Sequence, residues 1–235
     1  MTRLRVRDID YRLHRTGPRR TADIVIERDG QINVIAPDHL TDEEANAVVD
    51  RKRMWIYKSL AEWRDLNASR VVREWVNGEG FLYLGSSYRL LLVNGPDAPV
   101  ALKEGRFCLD RKIVDEGGEV AARRAFETFY AEKGQERISR RVAHFAPKVG
   151  VNVTGVTVKE LGYRWAICSK SGALSFHWKC MMARPKVLDY IIVHELCHLR
   201  VRDHTDAFWN EVDKILPDYR ERKNWLRNCG AGLDI

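Results

Sequence analysis

The segment from His194 to His198 reads His-Glu-Leu-Cys-His and contains residue types that bind and use a metal ion. On a helix, His194 and His198 are about one turn apart and project from the same face. Glu195 is rotated by about 100° from His194, so it flanks a bound ion and does not ligate it. The His-Glu-x-x-His pattern therefore predicts that the two histidines bind Zn²⁺ and that Glu195 acts as general base on a water molecule.

A catalytic zinc site has a third protein ligand and one open position. His204 follows His198 by six residues, and on a continued helix it would face the other way, about 240° around the axis. We therefore expect the helix to end near residues 199–202 and the chain to fold back. The turn contains no glycine, so Asp203 is expected to adopt a left-handed backbone angle.

Residues around these ligands are candidates for supporting roles. Glu211, in the next predicted helix, is the alternative third ligand, and Asp206 is a candidate to accept a hydrogen bond from a ligand imidazole. His177 is interpreted either as a cleft residue or as a structural residue beside Trp178. Hydrolysis also requires a group that stabilises the oxyanion, and the candidates are Tyr190, Arg184 and Tyr163.

The motif lies in a segment that is apolar on almost every side, which is typical of a buried helix. We predict this helix from Lys186 to about Leu199, after Pro185 as its first residue, because proline loses no hydrogen bond there. An ionised glutamate and two imidazoles buried without partners would cost several kcal/mol, and a divalent ion would offset this cost. Phe208 and Trp209 are predicted to pack beneath the site.

The rest of the chain is predicted to be α+β, with a β-rich N-terminal half (1–115) and a zincin-like C-terminal half (116–235) that contains a small antiparallel sheet and the motif helix. A helix beginning after Thr41, with Glu44 completing a capping box and apolar positions continuing through Trp55, is predicted in the first half. A long helix after Gly117-Gly118 carries Val120 on its packed face and is expected to break near Gly134. The predicted strands are Ala22–Glu27, Gln31–Ile35, Gly80–Leu84, Tyr88–Val93, Phe107–Asp110, Val156–Lys159, Tyr163–Cys168 and Ala173–Trp178, and the last two predicted helices are Thr205–Leu216 and one after Pro217.

Composition narrows the class of protein. The 235 residues are 45% hydrophobic, so a globular core is expected. The net charge of +7 is compatible with an anionic partner such as a nucleotide or nucleic acid, and equally with an arginine-rich solvated surface. Five cysteines without a Cys-x-x-Cys pair favour a reducing, cytoplasmic location. The apolar stretches are too short to cross a bilayer, and the N-terminus lacks the pattern of a signal peptide. We expect no membrane partner, and the oligomeric state is left open.

Several motifs together resemble the YgjP-like metallopeptidase family, a zincin-type family related to the WLM and SprT-like proteases. The resemblance is densest over about Val156–Pro217 and extends less specifically over most of the chain. It implies His194, His198 and His204 as zinc ligands and Glu195 as catalytic base. The segments that carry the resemblance are Tyr163–Ser169, Phe176–Trp178, Leu188–Leu199 and Asp203–Trp209.

The chain departs from the family pattern at one predicted strand pair. The family usually has Trp-Gly-Ser-Cys-Ser where this chain has Ala166 and Ile167 after the tryptophan, and Asn-Trp where this chain has His177-Trp178. If these strands line the substrate cleft, Ile167 and His177 change the shape and polarity of the cleft.

The sequence thus predicts a cytoplasmic zinc-dependent hydrolase, and a metallopeptidase acting on peptides or proteins is the leading hypothesis. One alternative is a metal-dependent nucleotide pyrophosphohydrolase of the UTP type, an activity that the family resemblance also implies. A second alternative is a nucleic-acid-associated protein. It would be either a protease that acts on DNA-bound proteins or a binding protein whose zinc is mainly structural and held by four protein ligands.

Overall fold

The computed structural model describes residues 2–17, 21–26, 30–67, 73–162 and 164–235. The chain divides into two compact units, Met1–Arg70 and Val71–Ile235. This division differs from the boundary at residue 115 predicted from the sequence. The reason is that Phe81, Leu90 and Phe107, from the strands before residue 115, share one hydrophobic core with the helices that follow.

The first unit consists of a four-stranded sheet and two helices. Its strands follow the order β1-β2-β4-β3, and β3 pairs antiparallel with β4, as the predicted hairpin requires; residues 27–29 of its turn lie outside the described residues. The elements are β1 (Thr2–Val6), β2 (Ile9–Arg15), β3 (Asp23–Ile26), β4 (Ile32–Ala36), α1 (Asp42–Arg51) and α2 (Arg53–Asn67).

Helix α1 begins as its sequence predicts. The Thr41 hydroxyl accepts a hydrogen bond from the Glu44 amide at 3.2 Å, and the Thr41 amide donates to the Glu44 carboxylate at 2.8 Å. The continuous apolar face predicted through Trp55 is wrong, because the chain forms two helices with a break between Arg51 and Arg53. Ile56 consequently occupies the core, and Trp55 is 48% exposed.

The second unit contains the predicted motif helix and the remaining sheets. One sheet has the strand order β5-β6-β8-β7, and the other has the order β10-β11-β9. The elements are β5 (Gly80–Tyr83), β6 (Ser86–Val93), β7 (Val100–Lys103), β8 (Arg106–Asp110), α3 (Arg111–Val149), β9 (Gly155–Lys159), β10 (Ala166–Cys168), β11 (Ala173–His177), a 3-10 helix (Trp178–Met182), α4 (Pro185–Cys197), α5 (Asp206–Ile215), α6 (Tyr219–Cys229) and a final 3-10 helix (Gly230–Gly232).

The smaller sheet is mixed, which corrects the predicted antiparallel arrangement. Strand β10 pairs antiparallel with β11, but β9 pairs with β11 in parallel. The physical reason is that the chain between β9 and β10 crosses to the other edge of β11. The architecture of the chain is therefore α+β with mixed sheets.

Helix α3 is the long helix predicted after Gly117-Gly118. The expected break at Gly134 is wrong, because α3 continues through this residue and only Gly118, with φ of 61°, leaves helical geometry. A Cβ atom at Gly134 would lie 3.1 Å from the side chains of Met181 and Val158, so the glycine permits close packing. Val120 is 75% exposed and does not belong to the packed face.

The segment that leads into α4 is fixed by the β5–β6 turn. The amides of Leu84 and Gly85 donate hydrogen bonds to the carbonyls of Met181 and Met182 at 2.8 and 3.0 Å. Gly85 has φ of +82°, and a Cβ atom there would come within 3.0 Å of the Arg184 backbone. This close approach requires glycine and holds the first residues of α4 in place.

None of the helices in the described parts of the chain combines the length and apolar character needed to cross a membrane.

Candidate metal centre

Helix α4 presents the motif from a rigid position. Nine of its residues are buried, and Asp189 on its outer face accepts two hydrogen bonds from Arg141 of α3, each at 2.8 Å. This bidentate ion pair fixes the orientation of α4 about its own axis and its position along α3. The side chains near the C-terminal end of α4 are therefore held in defined positions.

Three imidazole nitrogens converge at the end of α4. The Nε2 atom of His194 lies 3.1 Å from Nε2 of His198 and 3.0 Å from Nε2 of His204. Zn–N bonds of about 2.0–2.1 Å in tetrahedral geometry separate ligand nitrogens by about 3.3 Å, so the arrangement fits one metal ion. Among the described residues, these three histidines form the group that is able to hold a metal, and it contains no cysteine or carboxylate.

The chain folds back through a tight turn after α4. The helix ends at Cys197, and the amides of Arg200 and Val201 both donate to the Cys197 carbonyl, at 3.0 and 2.9 Å. The expected left-handed conformation of Asp203 is wrong, since Asp203 is not among the residues with positive φ. The turn is closed by helical-type hydrogen bonds instead and needs no unusual backbone angle.

Aromatic residues of α5 form the floor and one wall of the site. The Phe208 ring is fully buried, and its centroid lies 4.5 to 4.9 Å from the centroids of all three imidazoles. Trp209 lies beside His194 and His204 at 5.9 and 5.7 Å. The predicted packing of Phe208 beneath the site agrees with this arrangement, and Trp209 remains partly exposed at the wall.

The Nδ1 atoms of His198 and His194 differ in their hydrogen bonding. Nδ1 of His198 lies 3.3 Å from the carbonyl of Val201, which orients this ring. Nδ1 of His194 is buried, and none of the described residues forms a hydrogen bond with it. Asp206, the predicted partner of a ligand imidazole, is exposed at the start of α5 and forms no hydrogen bond with any of the three rings in the described structure.

Burial sets the protonation of the triad in the metal-free protein. Burial, followed by the charges of His198, His204 and Lys223, lowers the pKa of His194 to about 3. Burial also lowers the pKa of His198 and His204. The imidazoles are therefore neutral at neutral pH, which is the form that binds a metal ion.

The pKa of Glu195 is shifted in the opposite direction from the pKa values of the histidines. Glu195 is only 7% exposed, and burial raises its pKa to about 7, against the opposing charge of Arg164. No residue of the described structure donates a hydrogen bond to its carboxylate. A buried carboxylate with a pKa near neutrality has the properties of a general base.

The lowered pKa values lead to a measurable prediction for metal binding at pH 6. Three imidazoles with the ordinary pKa of about 6.5 would release about two protons per metal ion at this pH. We expect fewer than about one proton, because the folded triad is already largely neutral. Calorimetric titration of the Glu195→Gln protein with Zn²⁺, in buffers of different ionisation enthalpy, measures the number of protons released per metal ion. The glutamine removes any proton that Glu195 would contribute. Release of two or more protons would contradict the prediction.

Glu211 and His177 have other partners. The Glu211 carboxylate forms ion pairs with Arg200 and Lys214, and Glu211 is outside the metal-binding group. His177 is 2% exposed, and its Nε2 lies 2.8 Å from the Glu160 carboxylate. These contacts favour the structural interpretation of His177 and give no support to Glu211 as a third ligand.

The predicted oxyanion candidates differ in position. The Tyr190 ring lies 5.8 Å from the His194 ring, and burial raises the pKa of its hydroxyl. Arg184 lies over the ring of Trp225 at 5.5 Å. Tyr163 lies outside the described residues. Tyr190 is thus the candidate whose ring the structure places next to a histidine of the triad.

Three residues near the site were missed from the sequence. Lys223 and Arg202 contribute positive charge to the histidines. Burial raises the pKa of the Cys168 thiol on β10, and the charge of Glu195 adds to this effect. Arg202 also donates to the carbonyl of Ser169 at 3.1 Å, which links the turn after α4 to β10. Lys223 and Arg202 belong to no motif. Cys168 lies in the family-like segment 163–169, but the sequence assigns it no role. Only the tertiary structure therefore places these three residues near the site.

An α+β body with three converging imidazoles is the kind of scaffold found in metalloenzymes. The chain belongs to the YgjP-like family, because the family model described as YgjP-like, metallopeptidase domain, matches residues 20–229. The family defines the chain as a metallopeptidase-type protein, as the sequence motifs predicted.

One solved structure and the curated proteins were also compared with the chain. The crystal structure of the metallopeptidase zymogen of Pyrococcus abyssi abylysin is similar at 25% identity, covering 37% of this chain and 89% of that one, with a TM-score of 0.35. The search of the curated proteins found no match.

Proposed function

We propose that the protein is a zinc-dependent metallopeptidase in which His194, His198 and His204 hold the ion and Glu195 is the general base. The observation that carries the proposal is the convergence of three Nε2 atoms within 4.8 Å of one another, next in sequence to a buried carboxylate. Three neutral imidazoles suit Zn²⁺ better than Mg²⁺, which prefers oxygen ligands. Membership of a metallopeptidase family supports peptide hydrolysis.

When bound, a divalent zinc ion supplies a Lewis acid that lowers the pKa of water and polarises a carbonyl group. The Glu195 carboxylate accepts a proton from the water whose oxygen attacks the scissile carbonyl carbon. As the C–N bond breaks, Glu195 returns this proton to the leaving amine. Because Glu195 is buried and has no hydrogen-bond donor among the described residues, its carboxylate is free for both transfers.

The protein residues also position the reacting groups. Phe208 packs against all three imidazoles and limits their rotation. The Val201 carbonyl orients His198 through Nδ1. A metal site with three fixed histidines and no fourth protein ligand in the described structure supports an open position for water, in contrast to a closed structural site.

A nucleotide pyrophosphohydrolase is the second candidate. The observation that favours it is the positive charge of Lys223, Arg202 and Arg164 near the histidines and Glu195, since such charges stabilise phosphate groups. The absence of acidic residues from the metal-binding group, within the described chain, argues against the Mg²⁺ chemistry that such enzymes use.

Substrate assays on metal-analysed protein test the proposal. We expect about one zinc ion per chain, cleavage of casein or of a peptide library by the zinc-loaded protein, and no comparable release of pyrophosphate from nucleoside triphosphates. Pyrophosphate release without peptide cleavage would reverse the order of the two candidates. Salt-dependent DNA binding at low ionic strength, measured in parallel, tests the nucleic-acid-associated alternative.

A further inference from the structure

Helices α5 and α6 form a wall of stacked aromatic rings beside the triad. The Trp209 ring lies 5.7 Å from the His204 ring and stacks on Tyr219 at 5.3 Å with an interplanar angle of 12°. The Lys223 ammonium lies over the outer part of this wall, 3.9 Å from the Trp209 centroid. The two contacts place the ammonium within about 10 Å of the His204 ring.

Lys223 differs from three neighbouring cations because it has no acidic partner among the described residues. Lys214 pairs with Glu211, and on α6 Arg220 pairs with Asp213 and Arg222 with Asp218. Among the described residues, no carboxylate forms an ion pair with Lys223, whose side chain is exposed. Lys223 therefore places an exposed positive charge within about 10 Å of the His204 ring.

We propose that Lys223 is a specificity residue that binds a carboxylate of the peptide substrate. This inference rests on the proposed peptidase function and names the substrate class. The Trp209 face holds the ammonium by a cation–π contact and leaves its N–H donors available to an anion. Because an extended peptide advances about 3.3 Å per residue, the carboxylate lies within about three residues of the scissile bond.

Two sources supply a carboxylate at this distance from the scissile bond. One is the C-terminus of the substrate, and the other is an aspartate or glutamate side chain. The shared chemistry is the same, so peptides that separate the two sources are required. One pair of otherwise identical peptides differs only in a free or amidated C-terminus, and a second, amidated pair differs only in glutamate or glutamine.

The binding experiment uses zinc-loaded Glu195→Gln protein, which allows the affinity to be measured without turnover. We expect one carboxylate peptide of the two pairs to bind about fivefold more tightly than its neutral counterpart. Lys223→Gln should remove this difference, and Lys223→Arg should retain most of it. Lys112→Gln is the matched control, because Lys112 is an exposed lysine on α3 that undergoes the same chemical change.

A charge-reversal variant distinguishes the loss of the charge contact from a general weakening of peptide binding. Lys223→Glu should favour a peptide with lysine at the responsive position over the glutamate peptide, if the side-chain source is the correct one. If the C-terminus is the correct source, Lys223→Glu should bind the amidated peptide more tightly than the free acid.

Equal binding of carboxylate and neutral peptides, or a Lys223→Gln protein with unchanged selectivity, overturns the inference. Cleavage by the protein with Glu195 intact is measured separately. Absence of cleavage together with Lys223-dependent carboxylate binding contradicts the proposed peptidase function and leaves the carboxylate site standing.

Discussion

Replacing Glu195 with glutamine is expected to lower kcat for peptide cleavage by about 10³-fold while one zinc ion per chain is retained. Glutamine has nearly the same shape as glutamate but cannot accept a proton at the side-chain oxygen under the assay conditions. The loss corresponds to about 4 kcal/mol of transition-state stabilisation. Metal content should not change, because Glu195 is not one of the three ligating side chains.

A matched control separates this effect from a general effect of removing negative charge near the site. Glu211→Gln makes the same change on α5, where the carboxylate pairs with Arg200 and Lys214. We expect this variant to keep its zinc and to turn over within about twofold of the parent. Turnover of Glu195→Gln within tenfold of the parent, or loss of its zinc, would refute the assignment of the base.

The pH dependence of peptide cleavage gives a second measurement, on the parent protein and on Glu195→Gln. The carboxylate of Glu195 is the active form of the base, so activity should rise as the pH increases through its pKa. Burial raises this pKa to about 7 in the metal-free protein, and a bound cation favours the carboxylate and lowers it. The rising limb should therefore lie below pH 7 in the zinc-loaded protein, and it should be absent from any residual activity of Glu195→Gln.

The local part of the site was predictable from the sequence. The spacing of His194 and His198 is set by one helical turn, and Pro185 and the apolar run define a buried helix without any tertiary information. The capping box at Thr41 is equally local, because both of its hydrogen bonds lie within three residues. Such features depend on neighbours in the chain, which the sequence contains in full.

The parts that depend on distant contacts were harder to predict. The sequence predicts a break at Gly134, but this glycine permits the close approach of Met181 and Val158, which are far away in the sequence. Lys223 was missed because it reaches the triad only through the packing of α6 on Trp209. The mixed smaller sheet was also missed, since the order of its strands is set by the crossing of the chain between β9 and β10.

At His177 the chain departs from the family pattern, and the contact of this residue with Glu160 leads to a prediction about the stability of the fold. Glu160 binds two buried side chains at once, with His177 Nε2 and Trp178 Nε1 each 2.8 Å from one of its oxygens. Both rings are about 2% exposed, so neither nitrogen has ready access to water. The Gly162 amide adds a third hydrogen bond at 2.8 Å. Glu160 therefore connects the loop after β9 to the end of β11.

We expect Glu160→Ala to lower the free energy of unfolding by about 2–4 kcal/mol, because it removes the carboxylate that accepts hydrogen bonds from two buried side chains. Denaturant unfolding at pH 7 measures this loss. Glu136→Ala is the matched control on α3, where the exposed carboxylate lies 3.7 Å from Arg140, and its effect should stay below about 0.5 kcal/mol. Equal stability of the two variants would contradict the role of Glu160.

The pH dependence and a double-mutant cycle assign the effect to the contact with His177. Partial burial alone would raise the pKa of Glu160, but the charge of His177 and the hydrogen bonds from Trp178, Gly162 and His177 outweigh it and lower this pKa. A lowered pKa of Glu160 stabilises the fold above the ordinary value of 4.5, so the stability difference between the parent and Glu160→Ala should shrink as the pH falls below that value.

A double-mutant cycle with Glu160→Ala and His177→Ala measures the contribution of their contact. We expect a coupling energy of about 1–2 kcal/mol, since the two side chains share a hydrogen bond. A coupling near zero would contradict a contribution of the His177–Glu160 hydrogen bond to stability.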